Sequence, residues 1–187
     1  TAIDQIDHDL YVSPDGDDNN NGLTPDEPLQ TIAWAQTLIK RNDENPHTIH
    51  LAAGIYSASL NNQKFPLNIK QGVKYVGISP QETILDAENI TPFFFHLSRN
   101  EEELIKLSLN KIKLKNGYNF QLNGGTLLVY NADVILNRVI MENCKGSVSG
   151  SAITNMNGYT QVIDSIIKSN LGGSAISLFS EYNAPNP

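Results

Sequence analysis

The chain has a single cysteine, Cys144, in 187 residues. That excludes an internal disulfide and a cysteine-based metal centre. It has no apolar run long enough to span a bilayer, so membrane insertion through a helix is not expected. Positive charge is scarce: 13 Lys and Arg against 20 Asp and Glu leave a formal net charge of −7. A surface of that sign repels nucleic-acid backbones and anionic membranes, and neither is expected as a partner. Charged residues make up only 18% of the chain. Asn, Gly, Ser and Thr take their place, as exposed β-surface and tight turns require. No activated-nucleophile motif, phosphate-cradling glycine loop or zinc-ligand spacing occurs. No signal-peptide pattern is visible; a chain starting at Thr1 reads as a mature or trimmed form. The lysine-poor, asparagine-rich composition predicts an exported bacterial protein, secreted or at the cell surface.

What the chain does have is a period. Asn116, Asn143 and Asn170 recur 27 residues apart, within LNKIKLKNG, LNRVIMENC and IDSIIKSNL. A second echo pairs GSAIT at Gly150–Thr154 with GSAIS at Gly173–Ser177. A period in the twenties carried by β-branched segments predicts an all-β solenoid, a parallel β-helix of about five coils. Ile112, Leu114 and Asn116 share parity, as do Val139, Met141 and Asn143. Those residues are expected to point inward, with Asn116, Asn143 and Asn170 forming a structural ladder of amides bonded from coil to coil. Lys168 is an anomaly, because the same register places it where Leu114 and Met141 point inward. The rival fold is an antiparallel sandwich with hairpin turns at Asn116-Gly117 and Asn157-Gly158.

The first part of the chain reads differently. Leu10–Val12 is a short strand, and Ser13–Pro28 is a turn-rich loop. Ile32, Ala35, Leu38 and Ile39 then fall at helical spacing, with Thr31 as N-cap and Asn42–Pro46 ending the run. A strand over Thr48–Ala52 and a turn at Gly54-Ile55-Tyr56 follow, with short strands and no helix thereafter. Residues 1–47 therefore form an N-terminal strand, loop and capping helix, and residues 48–187 the coils, as one continuous structural domain. The helix is expected to cover the first coil, whose edge and core are otherwise open. After the last clear strand, Ala175–Phe179, no such cover is visible. The expectation is a longer β-helix truncated here, or end-to-end self-association through the C-terminal coil.

The residues Tyr11-Val12-Ser13-Pro14, Gly16-Asp17-Asp18, Gly22 and Pro28-Leu29-Gln30-Thr31-Ile32 resemble the start of right-handed parallel β-helix proteins. Ala53-Gly54-Ile55-Tyr56, Phe65-Pro66-Leu67, Gly72-Val73, Gly77 and Ile84-Leu85-Asp86 are similar to the first coils of a bacterial domain-of-unknown-function family in the pectin-lyase-like fold group. The resemblance covers roughly residues 10–90 and implies a right-handed winding. It does not choose among the polysaccharide lyases, glycoside hydrolases, epimerases, tailspikes and non-enzymatic surface proteins that share this fold.

Several residues are candidates for chemistry. Asp15, Asp17, Asp18, Asn19 and Asn21 offer hard oxygens at close spacing, a candidate calcium site, although the same residue types build self-bonded loops. A uronate lyase needs stacked carboxylates and a base. The 27-residue register gives the columns Asn110/Asn137/Asp164, Lys106/Asp133/Thr160 and Lys115/Glu142/Ser169, none with two carboxylates. The catalytic candidates are therefore Arg138 as base, with Asp164 and Asp133. His47 and His50 fall on opposite faces of a strand, which argues against a shared metal. Three functions stay open. The first is an exported module that recognises a polysaccharide or cell-surface glycan, with no complete active site in this segment. The second is the N-terminal part of a polysaccharide lyase or glycoside hydrolase acting on later coils. The third is a structural stalk. Binding needs exposed aromatics beside polar groups, and Tyr118, Tyr130, Tyr159 and Tyr182 keep it open.

Overall fold

A computed structural model describes residues 3–97, 104–119, 126–146 and 150–180. The first strand is β1 (Leu10–Val12), followed by helix α1 (Ile32–Leu38). The first coil holds β2 (His47–Leu51), β3 (Gly54–Tyr56), the one-turn helix α2 (Ala58–Asn61) and β4 (Leu67–Asn68). The second holds β5 (Val73–Val76), β6 (Thr83–Asp86) and β7 (Phe94–Leu97). The third holds β8 (Ile105–Asn110), β9 (Lys113–Lys115), β10 (Tyr118–Asn119) and β11 (Leu127–Tyr130). The fourth holds β12 (Ala132–Asn137), β13 (Ile140–Glu142), β14 (Lys145–Gly146) and β15 (Ile153–Met156). The fifth holds β16 (Thr160–Ile163), β17 (Ile166–Lys168) and β18 (Ile176–Phe179).

Strands from successive coils stack into three long sheets, ordered β1-β2-β5-β8-β12-β16, β3-β6-β9-β13-β17 and β4-β7-β11-β15-β18. Every described strand pair is parallel, as in β8–β12 and β9–β13. The chain is thus an all-β parallel solenoid, and the antiparallel sandwich is excluded. Asn116-Gly117 and Asn157-Gly158 turn corners between parallel strands rather than closing hairpins. Gly54-Ile55-Tyr56 is a strand, not a turn. Helix α2 corrects the expectation of no helix after residue 42; the Ser57 hydroxyl caps it and left-handed Asn62 ends it. The core fills the tube: Ile49, Tyr75, Leu85, Phe94, Leu107, Leu114, Leu136 and Met141 are buried within it.

The coil period is not constant. Leu114 pairs with Met141, 27 residues on, but Met141 pairs with Ile167, 26 on, and Ile153 with Ile176, 23 on. This corrects the asparagine ladder at its third rung. Asn143 follows Asn116 in register, but Asn170 is carried one residue further. Its Oδ1 accepts the Cys144 N–H at 2.8 Å. The shorter step also resolves Lys168, which pairs in register with outward Glu142 while Ile167 takes the inward place.

The repeated asparagine reflects the backbone more than amide stacking. Asn116, Asn143 and Ser169 occupy one corner column with φ of 59°, 55° and 54°. Lys111, Arg138 and Asp164 form a second such column, at 57°, 54° and 47°. A left-handed conformation costs most residues about 1–2 kcal/mol, and Asn tolerates it best after Gly.

Helix α1 is too short to persist alone. Ile32, Ala35 and the following Ile39 anchor it, all fully buried on the first coil. Loop backbone closes the outer edge of β1: Tyr11 N–H donates to Gly22 O, and Leu29 N–H to Tyr11 O.

Candidate functional site

The polar structure that holds α1 in place also builds a groove beside it. Thr31 Oγ1 accepts the Trp34 N–H, as its N-cap position predicts. Two further side chains do work that sequence reasoning missed. Asp18 reaches back from the acidic loop: Oδ1 accepts the N–H groups of Gln30 and Thr31 at 2.9 and 2.8 Å, and Oδ2 accepts the Thr31 hydroxyl at 2.7 Å. A carboxylate there satisfies free donors and complements the positive end of the helix. Buried Gln63 accepts the Ile32 N–H at 3.0 Å and donates to Gln30 O at 2.8 Å. At the other end of α1, Lys70 donates to Gln36 O at 2.8 Å and to Ile39 O. Burial lowers the Lys70 pKa.

Along this helix lie two adjoining hollows of about 510 and 400 Å³ that share Ala33, Thr37 and Lys64. Trp34, Asp18 and Asn62 line the first, and Gln36, Asn68 and Lys70 the second. Trp34, the single tryptophan of the chain, is half-buried. Its indole N–H makes no hydrogen bond among the described residues, and neither do the side chains of Asn62 and Lys64, both exposed. The groove therefore presents an aromatic face, a free indole donor, an amide and a cation together. In the sequence Trp34 reads only as one residue of the capping helix.

The acidic loop is bonded to itself. Asp17 Oδ1 accepts from the backbone and side-chain nitrogens of Asn19 at 2.9 and 2.8 Å. Asn21 Oδ1 accepts the Leu23 N–H at 2.7 Å. Asp15 donates its N–H to Ser13 Oγ at 3.3 Å. Asp18 is committed to the helix. Among the described residues no group of three His, Cys, Asp or Glu is arranged to hold a metal.

The catalytic candidates lie on the outer surface. Arg138 and Asp164 are exposed in the corner column with Lys111. Register places Ile163, not Asp164, opposite Asn137, which corrects the expected column. Asp133 is half-buried, and its Oδ1 accepts the Tyr159 N–H at 3.2 Å. Arg138 and Asp164 are neighbours in that column, and Asp133 lies on β12. The outer charges instead form a ladder in register, Asp86–Lys115–Glu142–Lys168. Lys115 meets Asp86 at 3.0 Å, and Glu142 meets Lys113 at 3.2 Å and Lys168 at 3.3 Å. Desolvation opposes ionisation of Asp86, but bonds from the Glu88 N–H, Asn116 and Lys115 outweigh it and lower its pKa. The same balance, won by Lys113 and Lys168, lowers Glu142.

A second polar cluster pins the N-terminal segment. Asp7 meets Lys40 and His47 Nε2, each at 2.8 Å. Asp9 accepts the Thr48 N–H at 2.8 Å and meets His50 Nε2 at 2.9 Å. His47 Nδ1 lies 3.8 Å from the same Asp9 carboxylate. Both rings thus reach one carboxylate, although strand alternation put them on opposite faces. Of the tyrosines, Tyr130 is buried and Tyr159 exposed; Tyr182 lies outside the described residues.

A family described as "Protein of unknown function (DUF1565)" matches residues 14–83. That stretch contains the acidic loop, α1, the first coil and every named residue of the groove. No curated protein matches the chain. No solved structure matches it either.

Proposed function

We propose that the chain is an exported β-helix module that recognises a polysaccharide or cell-surface glycan through the groove beside α1. The observation that carries this reading is Trp34: a half-buried ring with a free indole N–H, flanked by the unpaired side chains of Asn62 and Lys64. Sugar rings pair apolar C–H faces with hydroxyls, and a ring-plus-polar surface answers both. The rigid supports of α1 hold the ring in place before any ligand arrives, which reduces the ordering cost of binding. Right-handed winding and bacterial export belong to the same proposal. This reading does not call on calcium; in the acidic loop Asp18 serves the helix, and Asp17 and Asn21 serve the loop.

Tryptophan fluorescence tests it directly, because one residue reports. Titration with homogalacturonan, alginate and neutral glucans is expected to shift Trp34 emission for at least one polymer. Lys64→Ala and Asn62→Ala are expected to weaken that binding several-fold. In calorimetry, Trp34→Ala is expected to weaken it at least tenfold. No emission change with any polymer, or binding unaffected by all three substitutions, would contradict the proposal.

A further inference from the structure

A third hollow, of about 420 Å³, adjoins the groove beside α1. The stretch from Asn62 to Pro66 divides them: Asn62 and Pro66 line the groove, Gln63 and Phe65 line the third hollow, and Lys64 lines both. The apolar lining of the third hollow is Ala58, Phe65, Ala87 and Ile90. Phe65 is half-buried. Its ring is set edge to face against fully buried Phe93, with centroids 5.6 Å apart. The acids beside this lining are already engaged. Asp86 is paired with Lys115 and accepts from Asn116 and the Glu88 N–H, and Glu88 accepts the Ser59 hydroxyl. The turn that carries Ile90 is tied to the third coil: Ala87 N–H donates to Lys115 O at 3.1 Å, and Asn89 N–H to Asn116 O at 2.7 Å. That fixed turn holds Ile90 70% exposed at the hollow.

We propose that a sugar chain seated on Trp34 continues across Lys64 into this third hollow, so that the ligand is an extended run of several sugar units rather than one terminal unit. The proposal rests on the glycan reading of the groove. Successive units of a sugar chain repeat the same apolar C–H faces ringed by hydroxyls, so one chain can satisfy two aromatic platforms. Trp34 supplies the first, and Phe65, extended by Ile90, the second. Lys64 stands between them, exposed and without a partner among the described residues. Its ammonium offers three donors to the oxygens of units that cross it. Each of the three hollows already falls within the range of a small-ligand site, about 300–1,000 Å³. A single sugar unit therefore leaves most of this surface uncovered. Contacts along one chain also reinforce each other, because once the first platform is occupied the second contact is intramolecular.

Oligosaccharides of two to eight units from homogalacturonan, alginate and neutral glucans, titrated against Trp34 emission, test the proposal. For the polymer that binds, affinity is expected to rise at least about tenfold from the shortest oligomers to those that span both platforms, and then to level off. Phe65→Leu with Ile90→Ser is expected to abolish that step. Long oligomers then bind no better than short ones, the short ones bind as before, and an unchanged melting temperature shows that the fold is kept. Ile78→Ser, exposed outside the three hollows, leaves the step intact. Trp34-dependent binding of equal strength at every length overturns the proposal and leaves the groove reading standing. A length step that survives the double substitution does the same. Absence of binding at every length and with every polymer overturns both.

Discussion

The first and the fifth described coils differ in what lies against them along the axis. At the first coil the open core meets α1, and Ile32, Ala35 and Ile39 lose all exposure. At the fifth coil nothing is stacked on the equivalent surface among the described residues, and Val162, Ile166, Leu178 and Phe179 are about half exposed there. The same sheets run through both ends, so strand pairing alone does not bury a coil. Burial comes from what lies along the axis, and a helix at one end does the work that a neighbouring coil does in the middle.

Truncations at the two ends should break this comparison most visibly. Ile32→Ala removes a fully buried side chain beneath the cap, and a loss of about 2–5 kcal/mol is expected in denaturant unfolding. Leu178→Ala in the fifth coil is expected to cost under about 1 kcal/mol. Equal losses would show that the ends are packed alike.

The polar supports differ in the same sense. Gln63→Leu leaves the Ile32 N–H and Gln30 carbonyl without partners in a buried site, and is expected to cost about 1–3 kcal/mol. Lys168→Gln removes one solvent-facing partner of Glu142, and is expected to change stability by less than about 1 kcal/mol. A reversal of that order would undo the assignment of Gln63 as the organiser of the cap.

Corner geometry gives a smaller effect. At φ 55°, Asn143→Ala is expected to cost about 1 kcal/mol, with Asn143→Gly close to neutral. If the glycine variant is the worse of the two, side-chain bonding rather than backbone conformation explains the repeated asparagine.

Acid titration gives the smallest and broadest signal. Asp86 and Glu142 have lowered pKa values in the folded chain. Their contribution is therefore fully present above the ordinary carboxylate range, about pH 4, and is lost as pH falls through the lowered folded values. The pair Asp86→Asn and Glu142→Gln is expected to lower the melting temperature at neutral pH and to flatten its decline below about pH 4. An unchanged acid limb would remove the charge ladder from the account.

The coils and the capping helix were legible in the sequence because each has a local signature. Alternation marked the inward residues Leu114 of β9 and Met141 of β13, and Thr31 with helical spacing marked α1. The exact register was not legible. One residue fewer between β13 and β17 moves every later side chain, and only pairing with the previous coil reveals it. Lys168 was the visible trace of that slip. The groove was hidden for a related reason. Its pieces, Asp18, Trp34 and Asn62, are far apart in the chain, and each has an adequate local role as turn, core cover or helix end. Gln63 carries no signal at all, since a glutamine that caps a helix 31 residues earlier resembles any loop glutamine. Asp9 with His47 and His50 was closer to recognition, but alternation gave the wrong geometry at the first residue of a strand.

Hydrogen exchange, followed strand by strand, tests the central claim most directly. The account predicts that amides of β2 beneath the cap and of β8 and β12 in the middle exchange slowly, while those of β16, β17 and β18 exchange much faster. Slow exchange of the fifth coil, level with β12, would contradict it.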